Sequence, residues 1–382
     1  MTNTLINVAE AFGLADGNMT GTSPLVRRQY NPQRRALVAE AAKMWDRVWN
    51  HGDPRAAVQV LEALSTSDLF KSVTGDVLDQ ELLARYNEQA TFWSRFASRT
   101  TVRNFKPKRL VDILGGRTAL DPVGELAEYK TADYLTDERS IAVGKFGRRF
   151  GFSWEAQIND DLDELMTIPT AYSAAAAATE DREANTQVFD PKTGAPNTDF
   201  FRAATAAEKK KGRPDTAPVA LPLTLDNLAA GITAVSTRKN VDGELVAPDG
   251  LILMVGPGLR MTALQILNTT EVRVTDGNST SVTANPIRGA IDLEVNPRLP
   301  GGAWFILPKP TAPRSAIAVA FLRGWETPDL RVKADAGNRM GGGAVDPSEG
   351  SFDEDGVYYR VRHVVGSAQG DPMHTYASTG AA

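Results

Sequence analysis

The 382-residue sequence predicts an α+β protein, and three stretches carry that prediction. The first is Phe150 to Phe189, where Phe150, Phe152 and Trp154 alternate with small or polar residues as the end of a strand does. A polar, acidic turn follows (Asn159, Asp160, Asp161, Asp163, Glu164), and then a helix is expected from Ile168 to Val188. Thr167 suits its N-cap, Pro169 its first turn, and five successive alanines, Ala174 to Ala178, make it slim. The second stretch, Leu223 to Pro310, alternates strand and helix signals. The third, residues 101–154, has period-two alternation at both ends and Gly, Asp and Pro between them.

In chain order, residues 1 to about 30 are small and polar and are expected to form an extended arm. Leu37, Ala41, Met44, Trp45 and Val48 fall at helical spacing until His51-Gly52-Asp53-Pro54 breaks the pattern. Ala56, Val58, Leu61 and Leu64 continue a second helix, and Asp79 to Ala97 gives a third with Leu82, Tyr86, Trp93 and Phe96 on one face. Residues 101–154 read as a long two-stranded hairpin whose far end spans Gly115 to Glu138. An isolated hairpin is marginal in water, so this one needs a surface to lie on.

A Pro- and Lys-punctuated connection runs from Asp190 to Pro222. Thr224 is placed to cap a helix from Leu225 to Thr237, Leu251 to Val255 is a buried-strand run, and Gly256-Pro257-Gly258 opens a helix to Leu267. Strands are expected at Ile287 to Val295, Trp304 to Leu307, Ala316 to Leu322 and Val357 to Val365, with a Gly-rich loop at Ala334 to Gly350. No internal repeat of 20–50 residues is visible.

Composition narrows the function classes. The length allows two or three compact units, and 42% hydrophobic and 23% charged residues are ordinary for a soluble protein. A net charge of −5 argues against a dedicated nucleic-acid binder. No apolar run is long enough to span a bilayer, and MTNTLINVAEAFGLADG lacks the features of a signal peptide. The absence of cysteine excludes disulfides, thiol nucleophiles and thiolate metal sites.

The candidate chemistry is sparse. His51, His363 and His374 stand at no metal-ligand spacing, and no nucleophile-elbow pattern accompanies them. Gly256-Pro257-Gly258 follows a strand like a phosphate loop, but no third glycine or Gly-Lys-Ser/Thr end completes it. Asp353-Glu354-Asp355-Gly356 resembles the start of a calcium loop, yet position twelve is Val364 instead of a bidentate glutamate. Asn159 to Glu164 could bind a cation, with a solvated turn that complements the helix dipole ahead of Ile168 as the plainer reading. Lys209-Lys210-Lys211 could touch DNA or a neighbour, with a solvated loop as the plainer reading. No catalytic, cofactor-binding or metal-ligating residue is assigned, no cofactor is expected, and the protein is not expected to be an enzyme.

The block GRRFGFSWEAQINDDLDELMTIPTAYSAAAAATEDREA resembles the corresponding block of tailed-bacteriophage major capsid proteins of the Hong Kong 97 type. So do NPIRGAIDLEVNPRLPGGAWFILPKP, AIAVAFLRGWETPDLRVK and DEDGVYYRVRHVVGSAQGDP, in that order, and the likeness runs from Ser67 to Tyr376. It implies an N-terminal helical arm (1–100), an extended hairpin loop (101–154), a peripheral domain with a long spine helix (155–222), an axial domain (223–315), and return strands with a tail (316–382). It also implies a head protein that self-assembles into pentamers and hexamers around packaged double-stranded DNA, bound without sequence specificity. Portal, scaffolding and decoration proteins are further partners it suggests. No membrane partner is expected, and the location would be the virion after assembly in the host cytoplasm. The negative net charge fits an inner surface that does not grip the genome. In some members of the resembled family a lysine of the hairpin forms an isopeptide crosslink; Lys130 and Lys145 lie in the hairpin here, and no crosslink is predicted. Two alternatives stand beside this reading: an encapsulin-like nanocompartment holding a cargo enzyme, and an α+β enzyme with an unrecognised site.

Overall fold

A computed structural model describes residues 82–114, 135–153, 162–240, 243–248, 250–276, 279–333 and 356–380, and beyond these only Arg47 and Arg55. The expected helices at 32–65, residues 115–134 of the hairpin's far end, the Gly-rich loop and the arm therefore lie outside the described residues, apart from Arg47 and Arg55.

Residues 82–88 are helical. The strands and helices that follow are β1 (Ser98–Val102), β2 (Lys108–Leu114), β3 (Leu135–Ile141), β4 (Gly144–Ser153), α1 (Leu162–Val188), α2 (Ala206–Lys210), α3 (Leu225–Ser236) and β5 (Leu251–Val255). After them come α4 (Arg260–Asn268), β6 (Glu271–Asp276), β7 (Ser279–Ala284), β8 (Asp292–Val295), β9 (Trp304–Pro308), β10 (Ile317–Leu322), β11 (Asp329–Val332), β12 (Gly356–Gln369) and β13 (Tyr376–Ser378). The chain divides into two compact units, and the boundary passes through α1 and β12, so each unit owns part of both elements.

Unit one comprises residues 1–90, 144–179 and 322–364. Here β11 pairs antiparallel with the first part of β12, from Asp329 opposite Arg362 to Val332 opposite Tyr359. Leu82, Leu330 and Val361 form a small core that Phe150, Tyr172 and Tyr359 close. The Phe150 ring stacks on Tyr172 at 4.9 Å and on Tyr359 at 5.3 Å, so aromatic stacking adds to the aliphatic contacts among the described residues of this core.

Unit two comprises residues 91–143, 180–321 and 365–382. Its main sheet runs β13-β9-β5-β8, with β5 and β8 parallel and the other pairs antiparallel. Both β5 and β9 are buried along their whole length, which explains their unbroken apolar sequence. Against this sheet pack Leu228 and Val235 of α3, Ala263 and Leu267 of α4, and Ile287 and Ile291 of the turn before β8. The Thr224 hydroxyl accepts the Asn227 N–H at 3.3 Å, so the expected cap of α3 is formed. In the same unit β10 pairs with the last part of β12, from Ile317 opposite Gln369 to Phe321 opposite Val365.

Three sequence expectations are corrected. α1 begins at Leu162 instead of Ile168, so Asp163 and Glu164 occupy its first turn, where acidic residues suit the helix dipole. Pro169 consequently lies inside the helix, at the cost of one backbone hydrogen bond. The long hairpin is shorter than its alternation suggested: β2 and β3 pair from Lys108–Ile141 to Leu114–Leu135 as a sheet of their own. The flanking strands pair elsewhere, β1 with β10 and β4 with β12, because period-two alternation identifies a strand but not its partner. The third helix stops at residue 88, and Trp93–Arg95 forms a separate 3-10 turn.

Candidate functional site

Within each unit, the singled-out residues that are described have packing and capping roles. His363 is buried on β12 with its ring 5.8 Å from Tyr86. His374 is buried in unit two and bonds through Nε2 to the Val246 carbonyl at 3.1 Å; burial pulls its pKa below the ordinary imidazole value. His51 lies outside the described residues. Among the described residues no group of three His, Asp or Glu side chains could hold a metal ion, and no helix is long and apolar enough to cross a membrane.

Gly256-Pro257-Gly258 has a packing role. A Cβ at Gly256 would lie 2.3 Å from the Leu299 carbonyl oxygen, so the chain at 296–302 passes too close for any side chain. Pro257 opens a 3-10 turn that leads into α4. Of the acidic pattern at 353–356 only Gly356 is described, at the start of β12, and of Asn159 to Glu164 only the backbone of 162–164. Lys130 lies outside the described residues, and Lys145 is exposed on β4.

Two polar constructions in unit two carry information that the sequence reading missed. The first lies on the C-terminal part of α1, where Glu180, Asp181, Ala184, Asn185 and Val188 are all buried. Glu180 accepts the Trp93 indole N–H at 2.8 Å and Asp181 the Trp93 backbone N–H at 2.9 Å. The Asn296 amide donates to Asn185 Oδ1 at 2.9 Å, and Arg298 approaches Asp181 at 4.0 Å. Burial raises the Asp181 pKa against the pull of these partners. The signal was readable: 180, 181, 184, 185 and 188 form one helical stripe, so polar residues there need internal partners.

The second construction anchors the C-terminal segment. Arg238 Nη1 donates to the carbonyls of Pro372 (3.1 Å), Met373 (2.8 Å) and Thr375 (2.8 Å), and Nη2 to that of Asp215 (3.3 Å). Burial pushes the Arg238 pKa down to about 10. Beside it, Arg314 pairs with Asp371 at 3.2 Å. Lys209 and Lys210 end α2, whose N-terminus is a capping box of Thr205 and Glu208. Arg202 grips the Glu208 carboxylate with two bonds, at 2.9 and 2.5 Å, and holds its pKa far below the usual carboxylate range.

Large apolar side chains nevertheless remain exposed in both units: Trp325 in unit one, and Phe105, Leu245, Met261 and Val282 in unit two. Trp325 is flanked by the guanidinium groups of Arg331 (5.6 Å) and Arg362 (4.6 Å), both tied to the Asp329 carboxylate.

The family model described as phage capsid protein matches residues 136–378, well over half of the chain. No curated protein matches. Among solved structures, the chain is similar to the mature capsid of bacteriophage PhiM1, at 11% identity over 76% of this chain and 87% of that one, with a TM-score of 0.47. It is similar to a structure of Gordonia phage Cozz at 16% identity, with 76% and 87% covered and a TM-score of 0.42. A third likeness is to the capsid of an empty GTA particle, at 12% identity, with 75% and 88% covered and a TM-score of 0.45.

Proposed function

Because the chain belongs to the phage capsid protein family, we infer that it is the major capsid protein of a tailed bacteriophage, the repeated subunit of an icosahedral head. The carrying observation is the extent of the family match, which runs from β3 through α1 and the main sheet to β13. The work of such a subunit is multivalent surface burial, not catalysis. Each weak contact between copies is reinforced by closure of the ring and then of the lattice.

In this reading residues 1–100 are an arm, 101–154 an extended loop, 155–222 and 316–382 a peripheral domain with α1 as its spine, and 223–315 an axial domain at the ring centre. The two-stranded β2–β3 sheet supports the loop assignment, since two strands gain little stability alone and a neighbouring subunit would supply the missing surface. The exposed Phe105 at the foot of this sheet fits such a contact. Portal, scaffolding and decoration proteins, the packaged DNA and assembly in the host cytoplasm belong to the same proposal.

The test is a loop-shortened variant in which a Gly-Asn-Gly turn joins residue 114 directly to residue 135. The variant is expected to fold with an unchanged melting temperature yet to stop at small oligomers under conditions where the wild type forms shells. Shell formation by the shortened chain would remove the loop's assigned role. A protein cargo in place of DNA inside wild-type shells would favour the nanocompartment.

A further inference from the structure

The sheet of unit one turns Phe150, Leu330, Tyr359 and Val361 to its core, so the alternate positions make up its other face. On that face β11 sets Arg331 directly opposite Arg360 of β12. β4 pairs with β12 as well. A Cβ at Gly147 would meet Arg362 Cα at 3.5 Å, and one at Gly151 would meet the Tyr358 ring at 2.5 Å. Arg149, midway between those glycines, therefore lies beside Arg360, and one row across three strands reads Arg149, Arg360, Arg331.

Like charges at opposed positions cost a sheet stability, and among the described residues this row is relieved at one end only. Arg331 is tied to Asp329 at 2.6 Å, a carboxylate that Arg362 shares at 2.9 Å. Arg149 leans on the Tyr358 ring at 4.7 Å, and neither it nor Arg360 forms an ion pair with a described residue. Arg149, Arg331 and Arg360 are exposed, as is Trp325 beside Arg331 and Arg362. An exposed tryptophan set among guanidinium groups has the composition of a protein-binding hot spot.

The β2–β3 sheet of unit two offers the complement. Its register puts Asp112 opposite Asp137, flanked on the same face by Leu114 opposite Leu135 and by Leu110 opposite Arg139. Here two acids are opposed, as the arginines are on the other sheet, and the leucines around them need a cover that two strands cannot give. We propose that the arginine face of unit one is the seat of the β2–β3 sheet of a second copy, with the Asp112–Asp137 pair laid against the Arg149–Arg360–Arg331 row and the leucines against Trp325 and Tyr358. Each sheet carries a like-signed row that is unfavourable in the isolated chain and favourable once the opposite sign lies on it. The inference rests on the shell reading and adds to it the receiving surface and the sign of the contact.

The experiment follows assembly of full-length protein by light scattering and electron microscopy over a range of concentrations. Wild type is compared with Arg149→Gln plus Arg360→Gln, with Asp112→Asn plus Asp137→Asn, and with all four substitutions together. Each pair removes a like-signed row, so the unassembled variants should melt no lower than wild type, while the concentration needed for assembly rises about tenfold. The fourfold variant should assemble no worse than either pair, because both pairs delete one and the same contact. Assembly of either pair at the wild-type concentration, or losses that simply add in the fourfold variant, overturns the inference and leaves the shell reading standing on the wild-type particles. A wild type that forms no oligomer removes the shell reading and the inference with it. A short DNA duplex that binds unassembled wild type and is lost with Arg149→Gln plus Arg360→Gln would give the face to nucleic acid and also overturn the inference.

Discussion

Arg238 holds the C-terminal segment of unit two to the body of the unit, and replacing it with methionine measures how much. The Pro372 carbonyl has substitutes, since the Thr375 N–H (3.2 Å) and hydroxyl (2.9 Å) both reach it. The carbonyls of Met373 and Thr375 each lose a charge-assisted bond of 2.8 Å. A hydrogen bond to a charged group contributes about 1.5–3 kcal/mol, and removing a desolvated guanidinium returns part of that. A net loss of about 3 kcal/mol is therefore expected for Arg238→Met, or roughly 6–12 °C in melting temperature for a unit of this size. Lysine should rescue only in part, because one ammonium cannot serve the Asp215 carbonyl, bonded by Nη2, together with the three carbonyls that Nη1 reaches. Hydrogen exchange locates the effect: amides of residues 371–378 should lose protection in the variant while those of β5 keep theirs. A melting temperature within about 1 °C of wild type, or loss of protection spread evenly over unit two, would refute the anchoring role.

Other consequences are simpler to state. A Cβ at Gly366 would lie 2.0 Å from the Ala142 carbonyl oxygen and 2.8 Å from Val143 Cα. Gly366→Ala should thus cost about 3 kcal/mol or more, since backbone on the far side cannot rotate away; insoluble expression or a depressed melting temperature would be seen, and a wild-type melting curve would contradict the packing. At Asp181 burial raises the folded-state pKa above the unfolded value, so the native state binds that proton more tightly than the unfolded chain. The resulting penalty is present at neutral pH and fades as pH falls through the raised value. Asp181→Asn, which can still accept the Trp93 N–H, should therefore be more stable relative to wild type at pH 7 than at pH 4, as urea unfolding at the two pH values will reveal. An advantage that is the same at both pH values would assign the effect to something other than the proton. Trp304→Phe removes the indole N–H that reaches the Leu221 carbonyl at 3.0 Å and leaves a gap in a fully buried site. The expected cost is about 2–4 kcal/mol, measured by the same unfolding series.

What the sequence disclosed, and what it hid, follows the range of the forces involved. α3 with its Thr224 cap, the apolar β5 and the Trp304 strand were legible because each is set by neighbours a few residues away. The start of α1 was misread because Asp163 and Glu164 suit a turn and a first helical turn equally well. The partner of β4 was hidden because its alternation is satisfied by any strand, and β12 lies some 200 residues further on. The carboxylates of Glu180 and Asp181 were hidden for a different reason. They lie on the buried stripe of the expected helix, and the partners they need there are supplied only by folding. The Arg238 anchor draws on separated segments around residues 215, 238 and 372–375, so no spacing pattern could announce it.

A capsid subunit must close into shells, so the most direct measurement is electron microscopy of the purified full-length protein across its size-exclusion peaks. Closed icosahedral particles, or pentamers and hexamers that convert into them, are the predicted result. A monomer or dimer that never assembles, even at high concentration, would contradict the shell function and return the chain to the α+β enzyme alternative.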